Sequence, residues 1–118
     1  MYTLKVESSF SSAHNLRGYK GKCEELHGHN WRVEISVRSR DLDGTGMLLD
    51  FKYLKKKLNN VLDRMDHQYL NKLDHFKKVN PTSENIARYV YDELKTGISL
   101  LKSVTVWENT TSAATYEE

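Results

Sequence analysis

From residue 27 to residue 38 the chain alternates almost without a break: Trp31, Val33, Ile35 and Val37 share one parity, and Arg32, Glu34, Ser36 and Arg38 share the other. Successive side chains of a β-strand point to opposite faces, so this pattern predicts a strand with one face on a core and one in water. Such a strand needs a neighbour to pair with and a layer to cover its apolar face. Residues 2–10 offer the neighbour, with Tyr2, Leu4, Val6 and Phe10 alternating with Thr3, Lys5, Glu7 and Ser9. The covering layer comes later. Asp50 is placed to cap a helix whose apolar positions Phe51, Leu54, Leu58, Val61, Leu62 and Met65 recur at steps of three and four, which leaves Lys55, Lys56 and Lys57 toward solvent. A second helix is expected after Pro81, capped by Thr82 or Ser83, with Ile86, Tyr89, Val90 and Leu94 as its stripe and Gly97 placed to end it.

The period returns to two over residues 103–108 and, more weakly, over 112–116. The order strand, strand, helix, helix, strand, strand predicts an α+β domain: an antiparallel sheet with two helices on one face. A chain of 118 residues suits one such domain, taken as residues 1–118. The cluster Asp41-Leu42-Asp43-Gly44-Thr45-Gly46 reads as a turn, because aspartate and glycine tolerate turn dihedrals. No apolar run approaches the roughly 20 residues of a membrane span, so no membrane partner is expected. The first residues carry an acid and alternate, unlike a secretory h-region, and the one cysteine, Cys23, cannot pair internally. A cytoplasmic protein is the expectation. A net charge of +2 is too small to imply nucleic acid.

His27-Gly28-His29 places two imidazoles at i and i+2 of the second strand, on one face and about 6.6 Å apart along the backbone. They share the parity of Trp31 and Val33, the buried face, where an unpartnered imidazole loses its hydrogen bonds. His14 shares the even parity of Val6 and Phe10 in the first strand. If the two strands pair, three imidazoles meet at one end of the sheet. Three protein ligands with a fourth position open are typical of catalytic Zn2+, and neutral imidazole suits that ion. His75, within Asp74-His75-Phe76-Lys77, reads instead as solvated.

Other groups could do acid–base work nearby. Cys23 lies in a loop with Lys20 and Lys22, close in sequence to the expected metal, and both conditions favour thiolate. Asp66 and His67, at the expected end of the first helix, place a carboxylate beside an imidazole, either as a proton relay or simply as a histidine favoured by the helix C-terminus. Glu108 shares the parity of Val104 and Val106, where a buried carboxylate calls for paired donors such as the N–H edge of a heterocycle; a strand ending at Trp107 would leave it exposed instead. Arg17, Lys20 and Lys22 form a basic loop that either binds an anion or is merely solvated.

These residues stand in six ordered blocks: Phe10-Ser11-Ser12-Ala13-His14, Cys23-Glu24-Glu25-Leu26-His27-Gly28-His29-Asn30, Gly46-Met47-Leu48-Leu49-Asp50-Phe51, Asp66-His67-Gln68-Tyr69-Leu70-Asn71, Asn80-Pro81-Thr82-Ser83-Glu84-Asn85 and Val106-Trp107-Glu108. In these the chain resembles the 6-pyruvoyl tetrahydropterin synthase family over nearly its whole length, and most closely the 6-carboxy-tetrahydropterin synthase branch of queuosine biosynthesis. The resemblance implies that His14, His27 and His29 bind zinc, that Cys23, Asp66 and His67 transfer protons, and that Glu108 anchors a pterin ring. It implies the tunnelling fold, whose subunits join edge to edge into a barrel, commonly a homohexamer of two stacked trimers with active sites between subunits. The implied activity is a lyase reaction on a small-molecule pterin triphosphate: 7,8-dihydroneopterin triphosphate gives 6-carboxy-5,6,7,8-tetrahydropterin, acetaldehyde and triphosphate. The short spacing from Cys23 to His27 resembles the carboxy branch. Glu24 resembles members that cleave the side chain to 6-hydroxymethyl-dihydropterin for folate, and Trp31 and Asn109 depart from the residues more common in the family. Two alternatives therefore stand beside the lyase: 6-pyruvoyl synthesis or folate-directed cleavage at the same site, and a non-catalytic pterin- or purine-binding module.

Overall fold

A computed structural model describes residues 1–18 and 25–118. The long alternating segments form β1 (Tyr2–His14) and β2 (His27–Ser39), followed by α1 (Phe51–Leu62), α2 (Ser83–Lys95), β3 (Leu101–Trp107) and β4 (Ala113–Glu117). The four strands make one antiparallel sheet in the order β1-β2-β3-β4. β1 pairs with β2 along its whole length, from Tyr2 opposite Ser39 to His14 opposite His27. In this register every even position of β1 stands opposite an odd position of β2. Val6, Phe10, Ser12 and His14 therefore lie on the same face as Trp31, Val33, Ile35 and Val37, and all eight are buried.

Both helices cover that face. Leu54, Leu58, Val61 and Leu62 of α1 and Ile86, Ala87, Val90, Tyr91 and Leu94 of α2 join Val104 and Val106 of β3 in one core. Asp50 caps α1 by accepting from the Lys52 N–H at 2.8 Å, and Thr82 caps α2 by accepting from the Asn85 N–H at 3.1 Å. These are the caps the sequence predicts, with Thr82 chosen over Ser83. Among the described residues no helix is long and apolar enough to cross a membrane.

Four details differ from the sequence reading. Phe51 is exposed, because the first helical residue lies at the rim of the core rather than over it. α1 ends at Leu62, so Met65 reaches the core from the turn beyond the helix, and Asp66 and His67 also lie in that turn. α2 ends through Thr96 in ordinary right-handed geometry; Gly97 follows the cap without adopting a positive φ. Residues 70–76 form two single 3-10 turns, Leu70–Lys72 and Asp74–Phe76, which no periodicity announced.

Candidate metal centre

At the end where β1 and β2 finish, the buried face changes character. Phe10 stacks on Trp31 with centroids 5.9 Å apart, and beyond Trp31 the same face carries His29, His27 and His14. The Trp31 ring meets His14 and His29 edge-on at 4.9 and 5.2 Å and forms the floor of the cluster. The three imidazole centroids stand 4.5, 5.1 and 4.7 Å apart, close to an equilateral triangle. This is the convergence that strand parity predicts.

Two of the rings are held from behind. His14 Nδ1 lies 2.7 Å from the Pro81 carbonyl and His27 Nδ1 lies 2.7 Å from the Glu25 carbonyl. A carbonyl can only accept, so each Nδ1 carries the proton and each Nε2 keeps its lone pair. The Nε2 atoms of His14 and His29 are buried and have no hydrogen-bond partner. Burial, first of all, lowers the pKa of both His14 and His29, with the neighbouring His27 adding to the effect, so these rings are neutral near pH 7. Two buried, unpartnered ring nitrogens beside a third imidazole make a group that could hold a metal ion.

Glu108 completes the cluster. β3 does end at Trp107, yet the next side chain turns inward: its Oε1 lies 3.0 Å from His29 Nε2 and 4.0 Å from His14 Nε2. The contact with His29 is close but misaligned for a hydrogen bond, consistent with the orphaned nitrogen. Ser83, in the first turn of α2, donates its hydroxyl to Glu108 Oε2 at 3.4 Å. One ligand atom from each of His14, His27, His29 and Glu108 lies within 4.8 Å of the others. Tetrahedral bonds of about 2.0–2.1 Å set ligand atoms roughly 3.4 Å apart, so small side-chain rotations close this set around an ion. The carboxylate is about one-third exposed, not sealed in the apolar layer as its parity alone suggested.

The proton-transfer candidates lie elsewhere. Asp66 Oδ1 accepts from the Ser11 N–H at 2.8 Å, the His67 N–H donates to the Ser11 carbonyl at 2.6 Å, and the Ala13 N–H donates to the Gln68 carbonyl at 3.1 Å. This segment thus runs along the free edge of β1 beside the ligand strand. His67 Nδ1 is 3.0 Å from Asp66 Oδ2, the ring is 82% exposed, and its backbone has φ 55, a conformation uncommon outside glycine. Hydrogen bonding from Ser11, above all, holds the Asp66 carboxyl below the usual range. The pair is formed as expected but stands outside the four-residue cluster. Cys23, Lys20, Lys22 and Glu24 lie outside the described residues. Arg17 is engaged in structure, its guanidinium donating to the Phe76 carbonyl at 2.6 Å. His75 is exposed, as expected, with its ring against Phe76 and Tyr89.

Residues 3–118 match the sequence model of 6-pyruvoyl tetrahydropterin synthase. The chain belongs to the 6-pyruvoyl tetrahydropterin synthase family. Among relatives, a Synechocystis protein called 6-carboxy-5,6,7,8-tetrahydropterin synthase is 41% identical over 98% of this chain and 93% of its own length. A Haemophilus influenzae protein of the same name is 34% identical with both chains covered completely. The structure of Caenorhabditis elegans 6-pyruvoyl tetrahydropterin synthase superposes with a TM-score of 0.91 at 36% identity, over 99% of this chain and 95% of that one. The family's fold is the one described above, and four of the six blocks that carry the family resemblance supply the His14, His27, His29 and Glu108 cluster or the groups that hold it.

Sequence reasoning missed three supporting groups: the Pro81 carbonyl, the Glu25 carbonyl and the Ser83 hydroxyl. Two are backbone atoms, which no residue type announces. Ser83 stood in the sequence only as a possible cap.

Proposed function

We propose that this chain is a zinc-dependent lyase that converts 7,8-dihydroneopterin triphosphate and one water to 6-carboxy-5,6,7,8-tetrahydropterin, acetaldehyde and triphosphate. The observation that carries this reading is the triangle of His14, His27 and His29 beside a carboxylate, with the buried Nε2 atoms of His14 and His29 unpartnered, in a chain 41% identical to a protein of that name. Three histidines leave a fourth position for substrate oxygen, and a Zn2+ ion held there would act as a Lewis acid that makes protons beside the side-chain oxygens removable.

The chain's own residues do the rest in this reading. His14, His27 and His29 hold the ion, with the Pro81 and Glu25 carbonyls setting two of their tautomers. Cys23 takes a proton from the substrate side chain and the Asp66–His67 pair returns one; the carboxylate at 3.0 Å orients the exposed imidazole. Glu108, steadied by Ser83, accepts from the amino group and ring N–H of the pterin. The edge of β4 and the part of the β1 edge that residues 66–69 leave uncovered are suited to join other copies into the family's barrel, a homohexamer of two trimers, which would cover strands otherwise open to aggregation. A cytoplasmic setting with one unpaired cysteine belongs to the same reading.

The C. elegans structure carries a different product name on the same fold, so product identity is what separates the branches. Purified protein incubated with 7,8-dihydroneopterin triphosphate should yield 6-carboxy-5,6,7,8-tetrahydropterin and acetaldehyde by mass spectrometry. A 6-pyruvoyl or 6-hydroxymethyl pterin as the main product would overturn the branch, and no product at all would leave a binding module.

A further inference from the structure

Where β1 stops at His14, the next residues do not lose their ladder partners. The Asn15 N–H donates to Asn71 Oδ1 at 3.0 Å and Asn71 Nδ2 donates to the Asn15 carbonyl at 2.9 Å. Two residues on, Asn80 repeats the arrangement: the Arg17 N–H donates to Asn80 Oδ1 at 3.0 Å and Asn80 Nδ2 donates to the Arg17 carbonyl at 2.8 Å. A side-chain amide presents one acceptor beside one donor, so each asparagine serves as a strand residue for one rung. Asn71 is buried, which makes its pairing costly to lose.

Asn80 is itself tied to α2, since its carbonyl accepts from Asn85 Nδ2 and from the Thr82 N–H, both at 2.9 Å. The residue after it, Pro81, supplies the carbonyl that fixes the His14 tautomer. The contacts close a ring: β1 delivers His14, Asn71 grips Asn15, Asn80 grips Arg17, and the peptide beyond Asn80 returns to the His14 ring. A backbone carbonyl has no side chain to orient it. Its place is set by its neighbours.

We propose that Asn71 and Asn80 are positioning residues of the metal centre, holding residues 14–17 and Pro81 in one register so that His14 Nε2 stays aimed at the ion. The inference rests on the metal reading above. Groups that hydrogen-bond directly to a ligand histidine are worth about 10–100-fold in metal affinity. Asn80 acts one peptide further out, so about fivefold or more is expected of it. Plain loop staples would behave differently: their loss would lower the melting temperature of the metal-free protein and leave metal affinity alone.

The experiment compares the full-length wild type with Asn80→Ala and Asn71→Ser, each stripped of metal and checked for fold by circular dichroism. Zinc affinity is read by competition with a chromophoric chelator, and the ligand geometry by the visible absorption of bound Co2+. In the folded variants zinc affinity should fall about fivefold or more and the cobalt bands should change in position or intensity. Smaller losses with a cobalt spectrum superposing on that of the wild type would overturn the proposal. Should Asn80→Ala fail to fold without metal, Asn71→Ser is held to the same criterion. Failure of the wild type to take up zinc or cobalt would overturn the metal reading and this proposal together; uptake by the wild type with unchanged variants overturns this proposal alone.

Discussion

The two ends of the β1–β2 ladder obey the same geometry and hold opposite chemistry. At one end Val6 opposes Ile35 and Leu4 opposes Val37, aliphatic pairs that need nothing but contact with the helices. At the other end Ser12 opposes His29 and His14 opposes His27 on the same face, and two ring nitrogens are left buried without partners. An apolar pair in those places would stabilise the fold, whereas an orphaned buried nitrogen costs about 1–3 kcal/mol. Folding alone does not select such a row. An ion that recovered the lost interactions would, so the comparison sets an end of the strands that stabilises the fold against an end that could hold a metal ion.

The largest expected effect falls on the binding end. His27→Ala should abolish stoichiometric metal binding, measured by elemental analysis, and reduce turnover by more than about 100-fold, the upper range for outer-shell partners alone. A variant that keeps its full metal content would remove His27 from the site. The matching change at the other end is Ile35→Ala, which should cost about 2–5 kcal/mol in denaturant unfolding of the metal-free protein while the zinc content of folded protein stays at the wild-type level. Loss of metal from folded Ile35→Ala would show that the two ends are not separable.

Glu108 sharpens the boundary, because its carboxylate touches the histidines yet is read as a substrate anchor. Glu108→Gln should retain metal and bind pterins at least about tenfold more weakly by calorimetry, a factor that corresponds to about 1.4 kcal/mol. Loss of metal with unchanged pterin affinity would make Glu108 a fourth ligand instead.

The smallest effect is a pH dependence confined to the metal-free state. Burial lowers the folded pKa of His14 and His29 below the ordinary 6.5, so the unfolded chain binds more protons than the folded one as pH falls. The stability of keeping these rings neutral is present in full above about 6.5 and is lost as pH drops below it toward the folded values. Melting temperatures of chelated protein should therefore be higher at pH 7.5 than at pH 5.5, and His14→Leu should flatten the difference. An unchanged slope in His14→Leu would place the titration elsewhere.

Much of this was legible in the sequence wherever a period carried it. Strand parity put His14, His27 and His29 on the buried face, and Asp50 and Thr82 announced their helices because a cap is a local interaction between neighbours in the chain. What was not legible depended on distant partners. The 3-10 turns of residues 70–76 have no apolar period and are fixed by bonds to residues far away in sequence, among them Asn71 to Asn15 and the Phe76 carbonyl to Arg17. Glu108 reaching His29 depends on how β3 ends, and alternation cannot report that. Asp66 and His67 were rightly paired but placed on a helix, because Met65 keeps the helical spacing after the helix itself has stopped.

The most direct test of the central claim is X-ray absorption at the zinc edge of the purified, full-length protein. Three imidazole nitrogens and one further light atom at about 2.0–2.1 Å are predicted, with the outer-shell scattering of histidine rings. Sulfur in the first shell, or a spectrum without histidine scattering, would contradict a centre built on His14, His27 and His29.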